Sequence, residues 1–207
     1  AVRALAIVCR VRDPGPRWRL RERDRMRNVL GKWLDVEHQR QPFAVEVLEQ
    51  DRQVVRHANV EFSFRIDRID RLADGTRVLI DYKTGRATAD WRGDRPDNPQ
   101  LPVYALSRPE YLAAVAYGRV NASECRFVAE AETAQIFSPR SQKTALEGRA
   151  SLAALLDVWS QRIETLAADF AAGRAAVAPT LRACKSCRLQ GLCRVPAALG
   201  DTVTPDD

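Results

Sequence analysis

Arg65-Ile66-Asp67-Arg68-Ile69-Asp70, followed by Asp74-Gly75 and then Leu79-Ile80-Asp81-Tyr82-Lys83-Thr84-Gly85, is the run that decides the fold. Val60 to Asp70 alternates as a strand, with Val60, Phe62, Phe64 and Ile66 on one face and Glu61, Ser63, Arg65 and Asp67 on the other. Asp74-Gly75 supplies a turn, and Val78-Leu79-Ile80 begins the next strand. Side chains two apart on a strand share a face, so Asp81 and Lys83 point one way and Tyr82 the other.

The turn imposes a constraint. A two-residue turn at Asp74-Gly75 pairs residues whose numbers sum to 149 and leaves Asp67 and Asp81 on opposite faces. A three-residue loop, with Gly75 at positive φ and a bulge beside it, makes the sum even and puts both carboxylates on one face. Two carboxylates on one face can hold a hard divalent cation through oxygen. Such a cation activates water and neutralises charge growing on a phosphate. Lys83 is then a point charge able to orient the water or stabilise the transition state. Glu49, at the end of the preceding strand Phe43–Glu49, is a candidate third carboxylate, with Glu46 further back on the strand. Asp70 lies on the face opposite Asp67 and is expected to pair with an arginine.

Composition narrows the partners. The chain has 207 residues, 45% of them hydrophobic, enough for one good core. No apolar run reaches the roughly 18 residues of a membrane span. Net charge is +6, carried by 33 basic residues of which four are Lys and the rest Arg, a balance that favours a polyanion. The chain starts with Ala1 rather than Met, and the expectation is a piece of a longer polypeptide. Cysteines number five, and Cys184, Cys187 and Cys193 form a C-x2-C-x5-C knuckle. With no secretory segment, metal or cluster ligation outranks a disulfide framework.

Elsewhere, apolar positions Met26, Val29, Leu30, Trp33 and Leu34 predict a helix over 18–38. Arg86 to Asn98 is expected to be an exposed loop, and Gln100 to Ser107 a helix that places Gln100 and Tyr104 on one face. Leu112–Tyr117 and Glu124–Ala129 predict strands. Thr144–Gly173 predicts a long helix whose stripe, Leu152 through Trp159 and Ile163 to Phe170, faces the core. Gly200–Asp207 reads as a disordered tail.

Taken together, Glu49, the Arg65–Asp70 run, Asp81-Tyr82-Lys83-Thr84-Gly85, Trp91 and Gln100-Leu101-Pro102-Val103-Tyr104 resemble the PD-(D/E)xK nuclease superfamily. Within it they are similar to the RecB/AddB-type nuclease domains of recombination helicase–nucleases. The resemblance runs from about Leu20 to Cys193. It implies Asp67 and Asp81 as ligands of Mg²⁺ or Mn²⁺, Glu49 as an accessory acid, Lys83 as the catalytic lysine, and Gln100 with Tyr104 on the helix behind the site. It also implies a 4Fe-4S cluster on Cys184, Cys187 and Cys193, with Zn²⁺ the alternative and Cys9 a candidate fourth ligand. Two features depart from the pattern. Phe64 stands where these proteins generally carry glycine, its bulk expected to crowd the strand, and no His precedes His38.

The reading is an α/β fold: a small mixed β-sheet flanked by helices, restriction-endonuclease-like, with a C-terminal cysteine knuckle. Its expected parts are a nuclease core over 1–180, the knuckle over 181–196 and a tail over 197–207. The expected activity is Mg²⁺-dependent, exonuclease-type hydrolysis of DNA in the bacterial cytoplasm, fed by a helicase or helicase-like partner and away from membranes. The alternatives are an inactive DNA-binding module of the same fold and a zinc-knuckle interaction protein.

Overall fold

A computed structural model of the chain describes residues 15–49, 52–85, 87–94, 96–108, 110–137, 146–176, 184 and 187–193. Cys9, the tail over 197–207 and the expected helix start at Thr144 lie outside them. Among the described residues, strands β1 (Phe43–Leu48), β4 (Arg68–Leu72), β5 (Arg77–Lys83), β6 (Leu112–Val120) and β7 (Cys125–Ala131) form one sheet in the order β1-β4-β5-β6-β7. Its β5–β6 pair is parallel and the other neighbours are antiparallel. Strands β2 (Gln53–His57) and β3 (Val60–Phe64) make a separate hairpin. Helix α1 (Pro16–Glu37) covers one face of the sheet; α2 (Gln100–Ser107) and α3 (Leu152–Ala171) cover the other, and a short α4 spans Gln190–Cys193. No helix among the described residues is long and apolar enough to cross a membrane.

The expected single strand over 60–70 divides. Residues 65–67 leave the ladder between β3 and β4, and the two halves pair with different strands. The alternation survives because period two records only which side chains face inward; it does not record the hydrogen-bonding partner. β2 was not expected at all. It turns into β3 through Ala58 and Asn59, both at positive φ (44° and 66°), the backbone of a two-residue hairpin.

β5 feeds both layers. Val78 and Ile80 join Trp33, Phe127 and Phe137 under α1, while Leu79 joins Tyr117, Leu101, Leu155 and Trp159 under α2 and α3. Trp33 meets Tyr82 edge-on at 5.6 Å, directly above Gly118. A Cβ there would stand 2.9 Å from the Tyr82 ring and 3.0 Å from Trp33, so this close approach requires glycine. The α1 stripe is narrower than its sequence suggests, since Val29 and Trp33 are buried while Leu30 and Leu34 stay half exposed. α3 begins later than expected, capped by Ser151, whose Oγ accepts from the Ala154 N–H at 3.1 Å. Its last stripe residue, Phe170, is 76% exposed and does not reach the core.

Two buried ionic clusters pin the layers. Asp70 is fully buried and accepts from Arg40 at 2.7 Å and Arg68 at 2.6 Å, the arginine pairing anticipated for it. Arg68 also reaches Glu37 at 3.0 Å and the Tyr82 hydroxyl at 2.8 Å. Burial works against the Arg68 charge, yet its bond to Asp70 holds its pKa above the ordinary arginine value. The second cluster limits the exposed-loop expectation for 86–98: the segment is a loop and 92–94 and Asp97 are exposed, but Ala87 and Trp91 are buried. Trp91 is fully buried and donates from Nε1 to Glu130 Oε1 at 3.1 Å, joined by Arg92 at 2.6 and 2.8 Å. A polar composition concealed one anchoring aromatic.

Candidate active site

The turn between β4 and β5 sets the register. Gly75, at φ 86°, donates its N–H to Leu72 O at 3.0 Å, and Leu72 donates to Thr76 O at 2.8 Å. Asp74 Oδ1 accepts from the Thr76 N–H at 2.9 Å. The loop therefore holds three residues, and paired numbers sum to 148: Arg68 with Ile80, Ile69 with Leu79, Asp70 with Val78. Extended by one step, this register sets Asp67 opposite Asp81 on the α2 side of the sheet. The Tyr82 N–H donates to Asp67 Oδ2 at 2.8 Å, closing the strand ends with a carboxylate in place of a carbonyl.

Asp81 is 3% exposed. Its Oδ1 accepts from Gln100 Nε2 at 2.8 Å. Lys83 Nζ lies 2.7 Å from Oδ2, an ion pair that holds this buried oxygen against the lysine. Burial raises the Asp81 pKa above the usual carboxylate value; Lys83 opposes the shift and the charge of Asp67 adds to it. Gln100, the first residue of α2, accepts from Lys83 Nζ on Oε1 at 2.6 Å and also donates from Nε2 to the Tyr104 hydroxyl at 2.7 Å. One carboxamide thus bridges the acid, the lysine and the tyrosine. Burial likewise raises the Tyr104 pKa.

The parallel pairing contributes a residue that sequence reasoning missed. Tyr117 on β6 is in register with Asp81, and Lys83 Nζ sits 5.0 Å from its ring centroid. Only the β5–β6 pairing brings it here, and no local signal in the sequence announces a parallel partner. Trp91 packs edge-on against the same ring at 5.1 Å. Phe64 does not crowd β4. It ends β3, off the main sheet, and lies stacked on Tyr104 at 4.7 Å.

Other candidates are not drawn together. The Glu49 N–H donates to Asp67 O at 2.8 Å, but Glu49 is exposed, with φ 43°. Glu46 is committed to Arg77, whose hydrogen bonds lower its pKa. Among the described residues, no three His, Cys, Asp or Glu side chains gather closely enough to hold a metal ion. Cys184 and Cys193 are half-buried and Cys187 is exposed, with a Leu189 N–H on Cys187 Sγ at 3.3 Å. The donors at the sheet are a different matter. Two carboxylates, one with a buried oxygen held only by the Lys83 ammonium, fit a hard cation such as Mg²⁺ or Mn²⁺.

Residues 3–194 match the family described as the PD-(D/E)XK nuclease superfamily. The chain belongs to this superfamily. Its five-stranded mixed sheet flanked by helices accords with the restriction-endonuclease-like fold, and members of the superfamily are typically nucleases that use divalent metals. None of the curated proteins matches the chain. A solved structure described as "Crystal structure of SSO0001" is 13% identical with a TM-score of 0.31, the match covering 71% of this chain and 59% of that one.

Proposed function

We propose that this chain is a divalent-cation-dependent nuclease that hydrolyses DNA phosphodiesters, with Asp67 and Asp81 as the cation's carboxylates. The observation that carries the reading is the bridge from Gln100 to Asp81 Oδ1 and Lys83 Nζ, with Lys83 also paired to Asp81 Oδ2 at 2.7 Å. When bound, Mg²⁺ or Mn²⁺ supplies a polarised water and neutralises charge on the phosphate. The protein's own groups do the rest. Asp67, fixed by the Tyr82 N–H, and Asp81, fixed by Gln100, present oxygens on one face. Lys83 is held by Gln100 and offers N–H donors to a non-bridging phosphate oxygen or to the attacking water. Tyr104 keeps the carboxamide of Gln100 turned so that its oxygen faces Lys83.

Finer features follow from the RecB/AddB-type resemblance. We propose exonuclease-type action on strands delivered by a helicase or helicase-like region in the bacterial cytoplasm, with Glu49 as an accessory acid. Cys184, Cys187 and Cys193 are proposed ligands of a 4Fe-4S cluster, with Zn²⁺ the alternative and Cys9 a candidate fourth. Support is the C-x2-C-x5-C spacing and the backbone N–H already on Cys187 Sγ. Iron and sulfide analysis after anaerobic purification tests it: stoichiometric zinc favours the alternative, and no metal removes the ligand set.

The deciding experiment is cleavage of single-stranded and duplex DNA with Mg²⁺, with Mn²⁺ and with EDTA. Metal-dependent cleavage that disappears in Asp81→Ala and Lys83→Ala supports the reading. DNA binding without cleavage under every condition overturns it and leaves the inactive DNA-binding module.

A further inference from the structure

Beside the catalytic cluster lies an open cleft of about 320 Å³ between β3 and the first turn of α2. Phe62, Ser63 and Phe64 form one wall; Asn98, Gln100 and Tyr104 form the other. We propose that this cleft receives one unpaired nucleobase of the substrate strand, adjacent to the phosphate that is cut. The placement rests on the nuclease reading above.

Three observations carry the inference. First, the cleft and the catalytic cluster share a wall. Gln100 and Tyr104, which line the cleft, are bonded to each other at 2.7 Å, and Gln100 continues to Asp81 and Lys83. A strand whose phosphate sits over Asp81 therefore has its neighbouring sugar and base beside Phe64.

Second, the surface is built for a flat ring. Phe62 and Phe64, two apart on β3, share a face and are both only half-buried. The rings of Phe64 and Tyr104 stack directly on each other at 4.7 Å, with 27° between their planes, which joins the two walls and fixes Phe64 in place. A braced ring offers a stacking face at little entropic cost, and stacking on it tolerates any base, because every base has a π-face.

Third, the polar rim suits a nucleotide. Asn98 uses its Oδ1 to accept the Gln100 N–H at 3.1 Å, which leaves its carboxamide nitrogen as a donor for a base edge. No carboxylate lines the cleft among the described residues. A base inside a duplex is covered on both faces and paired at its edge, so only an unpaired base can enter.

The test is binding by the full chain of a fluorescent single-stranded oligonucleotide, with one abasic residue walked along it and EDTA present to stop turnover. The expected profile shows a loss of about 10-fold in affinity when the abasic residue reaches a single register, in line with the removal of one base–aromatic stack. Phe62→Ala and the milder Phe64→Leu should bind the intact strand about 10-fold more weakly and no longer sense the abasic residue. With Mg²⁺, Phe62→Ala should lower kcat/KM about 10-fold on single strands, in line with its loss of binding. A flat abasic profile in the wild type overturns the subsite. Failure to bind the intact strand, or an equal loss on duplex and single strand in the variants, overturns it as well. A chain that binds with the expected profile but cuts nothing refutes the nuclease reading while the base subsite stands.

Discussion

Lys83 donates from Nζ to Gln100 Oε1 at 2.6 Å, so the end of β5 and the start of α2 are joined through a side-chain carboxamide. The carboxamide has only one useful orientation, since its nitrogen is already shared between Asp81 and Tyr104. Gln100→Leu should therefore lower kcat about 10- to 100-fold with a small change in KM, because the lysine and the acid lose their alignment. Gln100→Glu should do no better, as a carboxylate cannot donate to Asp81. Steady-state cleavage measures both, and a full rate in either would exclude the bridge from the mechanism.

The raised pKa of Asp81 makes stability depend on pH in a defined direction. A folded-state pKa above the unfolded value near 3.9 means that the fold favours the protonated form. That stability is fully present below the unfolded pKa and is lost as pH rises through the folded pKa. Asp81→Asn mimics the protonated carboxyl. It should unfold at a higher temperature than the wild type near neutral pH in EDTA, the difference shrinking towards zero as the pH falls below about 4. An Asn variant less stable at neutral pH would contradict the burial argument.

Gly75 carries the register at φ 86°. Gly75→Val should cost about 1–2 kcal/mol in urea unfolding, since a β-branched residue resists this region. Gly75→Asn should cost less, because asparagine enters it more readily. Equal cost for the two would indicate that φ is not the constraint.

The Asp70 cluster predicts a contrast between buried and exposed charge. Asp70→Asn leaves Arg40 and Arg68 sharing Glu37 as their one remaining buried anion and should cost about 3 kcal/mol, the low end for a broken buried pair. Arg56→Ala removes an exposed pair with Glu61 at 3.1 Å and should cost less than about 1 kcal/mol. Chemical denaturation of the two variants side by side is the check.

Much of this was legible in the sequence, and the limits have physical causes. Asp67, Asp81 and Lys83 could be put on one face because strand periodicity and loop parity are local arithmetic, and the three-residue loop with positive-φ Gly75 is the alternative that the structure adopts. Gln100 and Tyr104 share a helix face for the same local reason, and the two are bonded. What stayed hidden is non-local. The break at residues 65–67 depends on β2, and Tyr117 arrives through a parallel partner. Trp91 packs into the core on residues far along the chain, its indole N–H accepted by a carboxylate 39 residues away. Phe170 has the right helical spacing for the core, yet the sheet gives it nothing to pack against.

The short loop at Gly75 also dictates timing. Asp67 and Asp81 are brought together by a hairpin, which closes at small entropic cost, whereas Gln100 depends on a longer connection and Tyr117 on a parallel crossover. During folding, the acidic pair is therefore expected to meet before its carboxamide bridge arrives. If Asp67 and Asp81 hold the proposed cation, divalent cations added to refolding chains should accelerate the formation of this hairpin more than the docking of α2.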